Sequence, residues 1–266
     1  MLECVTQDAP RPPQWRARSL VVLGDSTAAG LGDPLPGGGW RGVGPLLAHA
    51  LSGPEPVAFA NLSFTGARMA CVRNDQLPQA LHARPDVTVI LVGMNDTLRS
   101  DFNPSTMRAD LDHVVATLTA AGSVVLTVRF HDHGKVFRLP QALKRALSGR
   151  IAELNTVISE VSEAHGAGCL DLDLLPGAYD LSAWSVDRLH PSELGHRMLS
   201  RAFGQMLAER GCAIPNPTSL VCSGGRQVGT AGHVAWLILK GIPWLWRRGR
   251  DLVPYAVSIM VKSALR

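Results

Sequence analysis

Apolar residues gather into short runs, mostly β-branched or aliphatic, at 19–23, 57–62, 87–92, 124–128 and 169–172. Near-continuous runs of this length, bounded by glycine or polar residues, mark strands covered on both faces. Between them the apolar positions recur at helical spacing, over 40–51, about 76–83, 105–121 and 139–165. A last helix is expected after Pro191. Ser192 is placed to cap it, and Leu194, Met198, Leu199, Ala202, Phe203 and Met206 form its apolar stripe. Strands alternating with helices predict a parallel sheet with helices packed on both faces.

Five such strands suit a flavodoxin-like three-layer α/β/α sandwich, for which the strand order 2-1-3-4-5 is expected. Ligands of open α/β sheets bind beyond the carboxyl ends of the strands, near the point where the order reverses. The segments that follow the strands are therefore the place to look for chemistry. The first strand leads into Gly24-Asp25-Ser26-Thr27, and the second into Asn61-Leu62-Ser63-Phe64-Thr65-Gly66. The third leads into Gly93-Met94-Asn95-Asp96, and Asp187-Arg188-Leu189-His190-Pro191 stands just before the last helix.

These residue types fit acyl transfer. A serine hydroxyl is a weak nucleophile at its own pKa and needs a base within hydrogen-bond reach. A carboxylate must hold that base in one tautomer and stabilise the imidazolium it becomes. Asp187 and His190, three apart, can meet on one turn and arrive as a unit. The tetrahedral oxyanion needs preorganised donors, which the Ser26 N–H, the Gly66 N–H and the Asn95 amide can supply. Glycine at 66 also lets a substrate approach the main chain, because no Cβ intervenes. Taken singly, each glycine could simply end a strand and Asp25 or Ser26 could simply cap a turn. Their joint occurrence, each after its own strand, is what points to a catalytic site.

On these four blocks the chain resembles the SGNH hydrolase superfamily, also called GDSL esterases and lipases. The signature residues correspond to Ser26 in GDST, Gly66 in NLSFTG, Asn95 in GMND and His190 in DRLH, with Asp187 as the third member of the triad. The match runs over about residues 19–210. Thr27 departs from the leucine found in many members, and the second block is the loosest of the four. The resemblance implies a cofactor-independent carboxylic-ester hydrolase acting through an acyl-serine intermediate, on small-molecule or lipid esters. An acyltransferase on the same site is the nearest alternative. A non-catalytic flavodoxin-like binding module is a further one, against which the first loop lacks both GxGxxG and GxxxxGK[ST]. After the fourth strand, His131, Asp132 and His133 stand on the same rim, where the two histidines are expected to line the substrate pocket. No second acidic cluster completes a hard-cation cage there, so no metal is expected.

Composition narrows the picture further. Apolar residues are 46% of the 266 and charged residues 18%, enough for a sizeable core. The net charge of +4 is spread along most of the chain rather than gathered into a basic stripe, which argues against nucleic acid as a partner. Cys4, Cys71, Cys169, Cys212 and Cys222 show no CxxC pairing, and the beginning of the chain lacks the apolar core of a signal peptide. Reduced thiols in a cytoplasmic protein are the expectation, with a Cys212–Cys222 disulfide the alternative for an exported one. Residues 1–18 read as an irregular leader, 19–212 as the hydrolase domain, 213–230 as a linker and 231–266 as an amphipathic helical tail. The tail sets Trp236, Trp244 and Trp246 beside Arg247, Arg248 and Arg250, with Pro243 and Pro254 breaking its apolar stretches. It lacks the run of about 18 apolar residues that crosses a bilayer. Its composition suits short helices packed on the domain or on a second subunit, or peripheral contact with a membrane surface.

Overall fold

A computed structural model of the protein describes residues 14–136 and 141–223. The tail at 231–266 and most of the leader lie outside the described residues. Five strands form the sheet: β1 (Ser19–Gly24), β2 (Ala58–Asn61), β3 (Val87–Leu91), β4 (Val124–Arg129) and β5 (Gly168–Asp171). Every pairing is parallel and the order is β2-β1-β3-β4-β5, the one expected for a flavodoxin-like sandwich. Strands β1 and β3 sit at the centre, and Leu20, Val22, Leu23, Val87 and Val89 are fully buried. Each such side chain contributes about 1.5–3 kcal/mol by leaving water.

Among the described residues eight α-helices surround the sheet: α1 (Val43–Leu51), α2 (Met69–Cys71), α3 (Leu77–Ala83), α4 (Met94–Thr97), α5 (Pro104–Ala120), α6 (His133–Val136), α7 (Gln141–Ala164) and α8 (Glu193–Glu209). Helices α1 and α8 pack together as one layer, and α5 and α7 as the other. Their ends follow local chemistry. Asn103 caps α5 by accepting from the Ser105 and Thr106 amides, ahead of Pro104 at the first helical position. Ser192 caps α8, as expected, by accepting from the Gly195 amide.

Three elements differ from their predicted form. Strand β2 is an exposed edge strand rather than a buried one, because only β1 pairs with it. Helix α1 begins at Val43, since Gly42 with φ 71° sits at its start and Trp40 forms an isolated bridge with Pro34. The helix expected at about 76–83 is longer and broken: α2 runs through a π turn at Val72–Gln76 into α3. Pro78, with no N–H to donate backwards, favours that local widening.

The residues flanking the sandwich are tied to it. The Gln14 amide and Trp15 Nε1 donate to the Gly211 and Arg210 carbonyls, and Trp15 bridges Cys212. Residues 213–223 run back along the domain: Asn216 Nδ2 donates to the Ser52 carbonyl and Thr218 Oγ1 lies 2.7 Å from Ser200 Oγ. Cys212 and Cys222 are both free thiols, one buried and one exposed, so the alternative disulfide between them is not formed. Among the described residues no helix is long and apolar enough to cross a membrane.

Candidate active site

The carboxyl ends of the strands open onto one cavity of about 1040 Å³. Ser26, Gly66, Asn95, His131, His133, Asp187 and His190 all line it, so the expected triad, oxyanion donors and rim histidines meet at one place. Strand β1 ends at Gly24, where φ is +139° and a Cβ would lie 1.9 Å from the Leu91 carbonyl oxygen, so only glycine fits. The chain then turns tightly: the Ala29 amide donates to the Asp25 carbonyl and the Leu31 amide to the Ser26 carbonyl. That turn carries the Ser26 hydroxyl to the cavity floor.

His190 reaches it from a hairpin between β5 and α8. The Ser185 amide donates to the His190 carbonyl and Trp184 bridges Pro191, which holds the loop closed. At its tip Arg188 adopts the left-handed conformation, with φ 58°. The result is a continuous relay. His190 Nε2 lies 2.7 Å from Ser26 Oγ, and His190 Nδ1 lies 2.6 Å from Asp187 Oδ2. Asp187 Oδ1 accepts from Ser185 Oγ and from the Leu189 and His190 amides. An acceptor-only carboxylate facing Nδ1 assigns the proton to that nitrogen and leaves the Nε2 lone pair for the hydroxyl. Burial pushes the Asp187 carboxyl up, but the bonds from His190 and Ser185 outweigh it and hold the group below its ordinary value.

Opposite the relay stand the three expected donors. Neither the Ser26 nor the Gly66 amide finds an acceptor among the described residues. Gly66 has φ +84° with open space where a Cβ would be. Asn95 follows β3, and its Nδ2 donates to the Ala67 carbonyl at 3.0 Å and more weakly to Asp25 Oδ2 at 3.4 Å. Both hydrogens of the Asn95 amide, expected to turn toward the space above Ser26, thus have acceptors within the protein. Asp96 acts as a tether, its carboxylate accepting from the Met69 amide and Arg68 Nε just beyond Gly66. Burial is the largest influence on Asp25 and raises its carboxyl to about 7, against the Thr27 amide bond and the nearby His190.

His131 and His133 stand after β4, stacked with ring centroids 4.1 Å apart. Trp184 packs on His131 at 4.5 Å. Burial lowers His131 to about 2 and His133 to about 4, so both rings are neutral at physiological pH. The nitrogens of His131 are buried without partners among the described residues, so the pair meets the cavity as an aromatic wall. Two participants had no signal in the sequence. Ser185 braces Asp187, and Trp184 walls the pocket; each is an ordinary residue in an irregular loop until the loop closes. Among the described residues no group of three His, Cys, Asp or Glu could hold a metal ion.

Comparison with known proteins gives this geometry a family. The family model of the GDSL-like lipase/acylhydrolases matches residues 22–198. No curated protein matches the sequence. Among solved structures, an α/β hydrolase enzyme from the metagenome of Lake Arreo, Spain, is 21% identical with a TM-score of 0.58, covering 74% of this chain and 97% of its own. The lipase/acylhydrolase from Enterococcus faecalis is 25% identical with a TM-score of 0.54, over 72% of this chain and 96% of its own. An acetylxylan esterase from Geobacillus stearothermophilus is 16% identical with a TM-score of 0.57, over 79% and 98%. Catalytic mutants of that esterase replace a histidine and an aspartate three positions before it with alanine. The chain belongs to the GDSL-like lipase/acylhydrolase family and is a carboxylic-ester hydrolase.

Proposed function

We propose that the protein cleaves its ester through an acyl-serine intermediate formed on Ser26. The observation that carries this reading is the relay Ser26 Oγ–His190 Nε2–Asp187, with both links at hydrogen-bond distance. Ser26 Oγ attacks the ester carbonyl carbon as its proton passes to His190 Nε2. The carbonyl oxygen becomes an oxyanion held by the Ser26 and Gly66 amides and by Asn95 Nδ2. Of the two Asn95 bonds, the 3.4 Å one to Asp25 is the weaker, so that hydrogen is the one to turn toward the oxyanion. His190 then gives its proton to the departing alcohol, and the acyl group stays on Ser26. Water, deprotonated by the same imidazole, repeats the cycle and frees the acid. Donors fixed in advance at the developing charge each supply about 3–4 kcal/mol of the barrier lowering.

The histidine and aspartate replaced in the catalytic mutants of the acetylxylan esterase share the three-residue spacing of Asp187 and His190. His131 and His133 wall the cavity as substrate-lining residues. The cavity volume stands at the upper end of small-ligand sites, about 300–1,000 Å³, and leaves room for a substrate larger than an acetyl ester of a short alcohol. The test is a panel of p-nitrophenyl esters from two to sixteen carbons on the wild type and Ser26→Ala, with a fluorophosphonate probe mapped by mass spectrometry. Wild-type turnover, a covalent adduct on Ser26 and an inert Ser26→Ala are expected. Turnover retained in Ser26→Ala would overturn the acyl-serine reading.

A further inference from the structure

Gln76 is fully buried, 1% exposed, at the end of the π turn between α2 and α3. A buried side-chain amide is stable only with its hydrogen bonds made. It makes two, both to the backbone of one residue: Oε1 accepts from the Gly24 amide at 2.7 Å and Nε2 donates to the Gly24 carbonyl at 2.9 Å. Gly24 lies two residues before Ser26.

The place of this clamp in the sheet gives it meaning. Strand β2 pairs with β1 only as far as Val22 opposite Asn61. Beyond that pair the chain leaving β2 still donates to β1, the Leu62 amide to the Val22 carbonyl at 2.9 Å, but none of its carbonyls accepts from the Gly24 amide. On the other side β1 remains paired, with the Asp25 amide donating to the Leu91 carbonyl of β3. The Gly24 amide thus faces the gap left by β2, and Gln76 fills that gap as a strand would, with one donor and one acceptor. The same Gly24 carbonyl also accepts from the Phe64 amide at 3.3 Å, two residues before Gly66. One carbonyl therefore joins the turn that carries Ser26 to the loop that carries Gly66, and Gln76 holds that carbonyl.

The π turn explains how the side chain gets there. One residue inserted into a helix rotates every later side chain by about 100°. Here that rotation precedes Pro78 and coincides with the residue that must face inward. Such turns carry a cost and recur at functional sites.

We propose that Gln76 is a positioning residue for the reaction: by clamping Gly24 it sets the distance between the Ser26 and Gly66 amides and the aim of the Ser26 hydroxyl. This rests on the acyl-serine reading of the same site. It assigns Gln76 no contact with substrate. Its removal should therefore lower the rate of the chemical step and leave substrate binding largely as it is.

The experiment uses Gln76→Leu and the isosteric Gln76→Glu in the full-length protein. The concentration of competent sites is fixed by fluorophosphonate titration, so that a partly unfolded sample does not pass for a slow one. Gln76→Leu should lower kcat per titrated site by about 10–100-fold with KM changed less than threefold, the effect expected when reacting groups are misplaced by a fraction of an ångström to 1 Å. Gln76→Glu keeps the acceptor for the Gly24 amide but, ionised, has no hydrogen for the Gly24 carbonyl. Protonation restores that hydrogen, so its kcat relative to the wild type should rise as the pH falls. A role in stability alone would move the melting temperature without either signature. A kcat per titrated site within twofold of the wild type in Gln76→Leu, or a relative kcat of Gln76→Glu that ignores pH, would overturn the proposal. An inactive wild type, or an active Ser26→Ala, would instead overturn the acyl-serine reading on which it rests.

Discussion

The side-chain amide of Asn95 and the carboxyl of Asp25 face each other 3.4 Å apart beside the nucleophile, on the ends of adjacent strands. The carboxyl is 4% exposed, and burial lifts it to about 7 from an ordinary 3.8. The sign of the consequence follows directly. Between about pH 4 and 7 the folded protein holds a proton on Asp25 that the unfolded chain has released. Folding stability from this group is therefore fully present below pH 4 and declines as the pH rises to 7. Asp25→Asn removes the titration and keeps an acceptor for the Thr27 amide. The difference in melting temperature, variant minus wild type, should increase from pH 4 to 7 and then level off. Melts across that range check it; a difference independent of pH would mean that Asp25 is ionised throughout.

Asn95 itself is the one side-chain donor among the three proposed for the oxyanion, and truncation should act on the transition state. Asn95→Ala is expected to lower kcat by about 10²–10³-fold while KM barely changes. Steady-state kinetics on a short p-nitrophenyl ester measure both constants. An unaltered kcat would remove Asn95 from the oxyanion site and leave it only the task of holding the Ala67 carbonyl.

The strands and the block carrying each site residue were legible because they rest on local rules, whereas the strand order came only as an expectation for the fold class. Apolar runs such as 87–92 report burial on both faces, and the turns after them need glycine or small polar residues whatever the rest of the fold does. What escaped the pattern depends on partners distant in sequence. The apolar run at 57–62 reads as buried, yet edge position is decided by strand order, and β2 has a neighbour on one side only. Gln76 reads as a surface helix residue until the π turn aims it at Gly24, 52 positions away. Trp184 and Ser185 gain their roles only when the hairpin folds back on Pro191 and His190. The residues at 213–223 look like a polar linker because their hydrogen bonds reach back to Ser52, Glu193 and Ser200.

Asp187 presents a sharper substitution than deletion. An asparagine there keeps one oxygen for Ser185 and the two loop amides, so the hairpin should survive. Its NH₂ would then face His190 Nδ1, which must become an acceptor, moving the imidazole proton to Nε2. In that tautomer His190 has no lone pair for Ser26. Asp187→Asn should therefore lower kcat by about 10³–10⁴-fold with little change in melting temperature. A fall in kcat matched by a comparable loss of folded protein would point to the hairpin instead of the tautomer.

Glu193 ties the far end of the described chain to the mouth of the cavity. Its carboxylate accepts from the Ser223 amide and hydroxyl, pairs with Arg41 Nη2 at 2.8 Å, and pairs with Arg197 Nε at 3.0 Å. Burial raises such a carboxyl, but these donors prevail and hold it well below the ordinary carboxylate range. Its contribution is thus complete above the ordinary carboxylate pKa and is lost as the pH falls below it. Arg41 and Arg197 also bind Ser223 Oγ, so the segment from Thr218 to Ser223 is held by one charged cluster beside Cys222, which lines the cavity. Glu193→Gln keeps the shape and removes the charge that assembles it. The variant should melt several degrees lower at pH 7, and its 213–223 segment should be cleaved faster by a nonspecific protease while the sheet stays protected. Because the wild type loses the same interaction in acid, the two melting temperatures should converge as the pH is lowered toward 3. Parallel curves with a constant offset would show that the charge on Glu193 does not hold the segment.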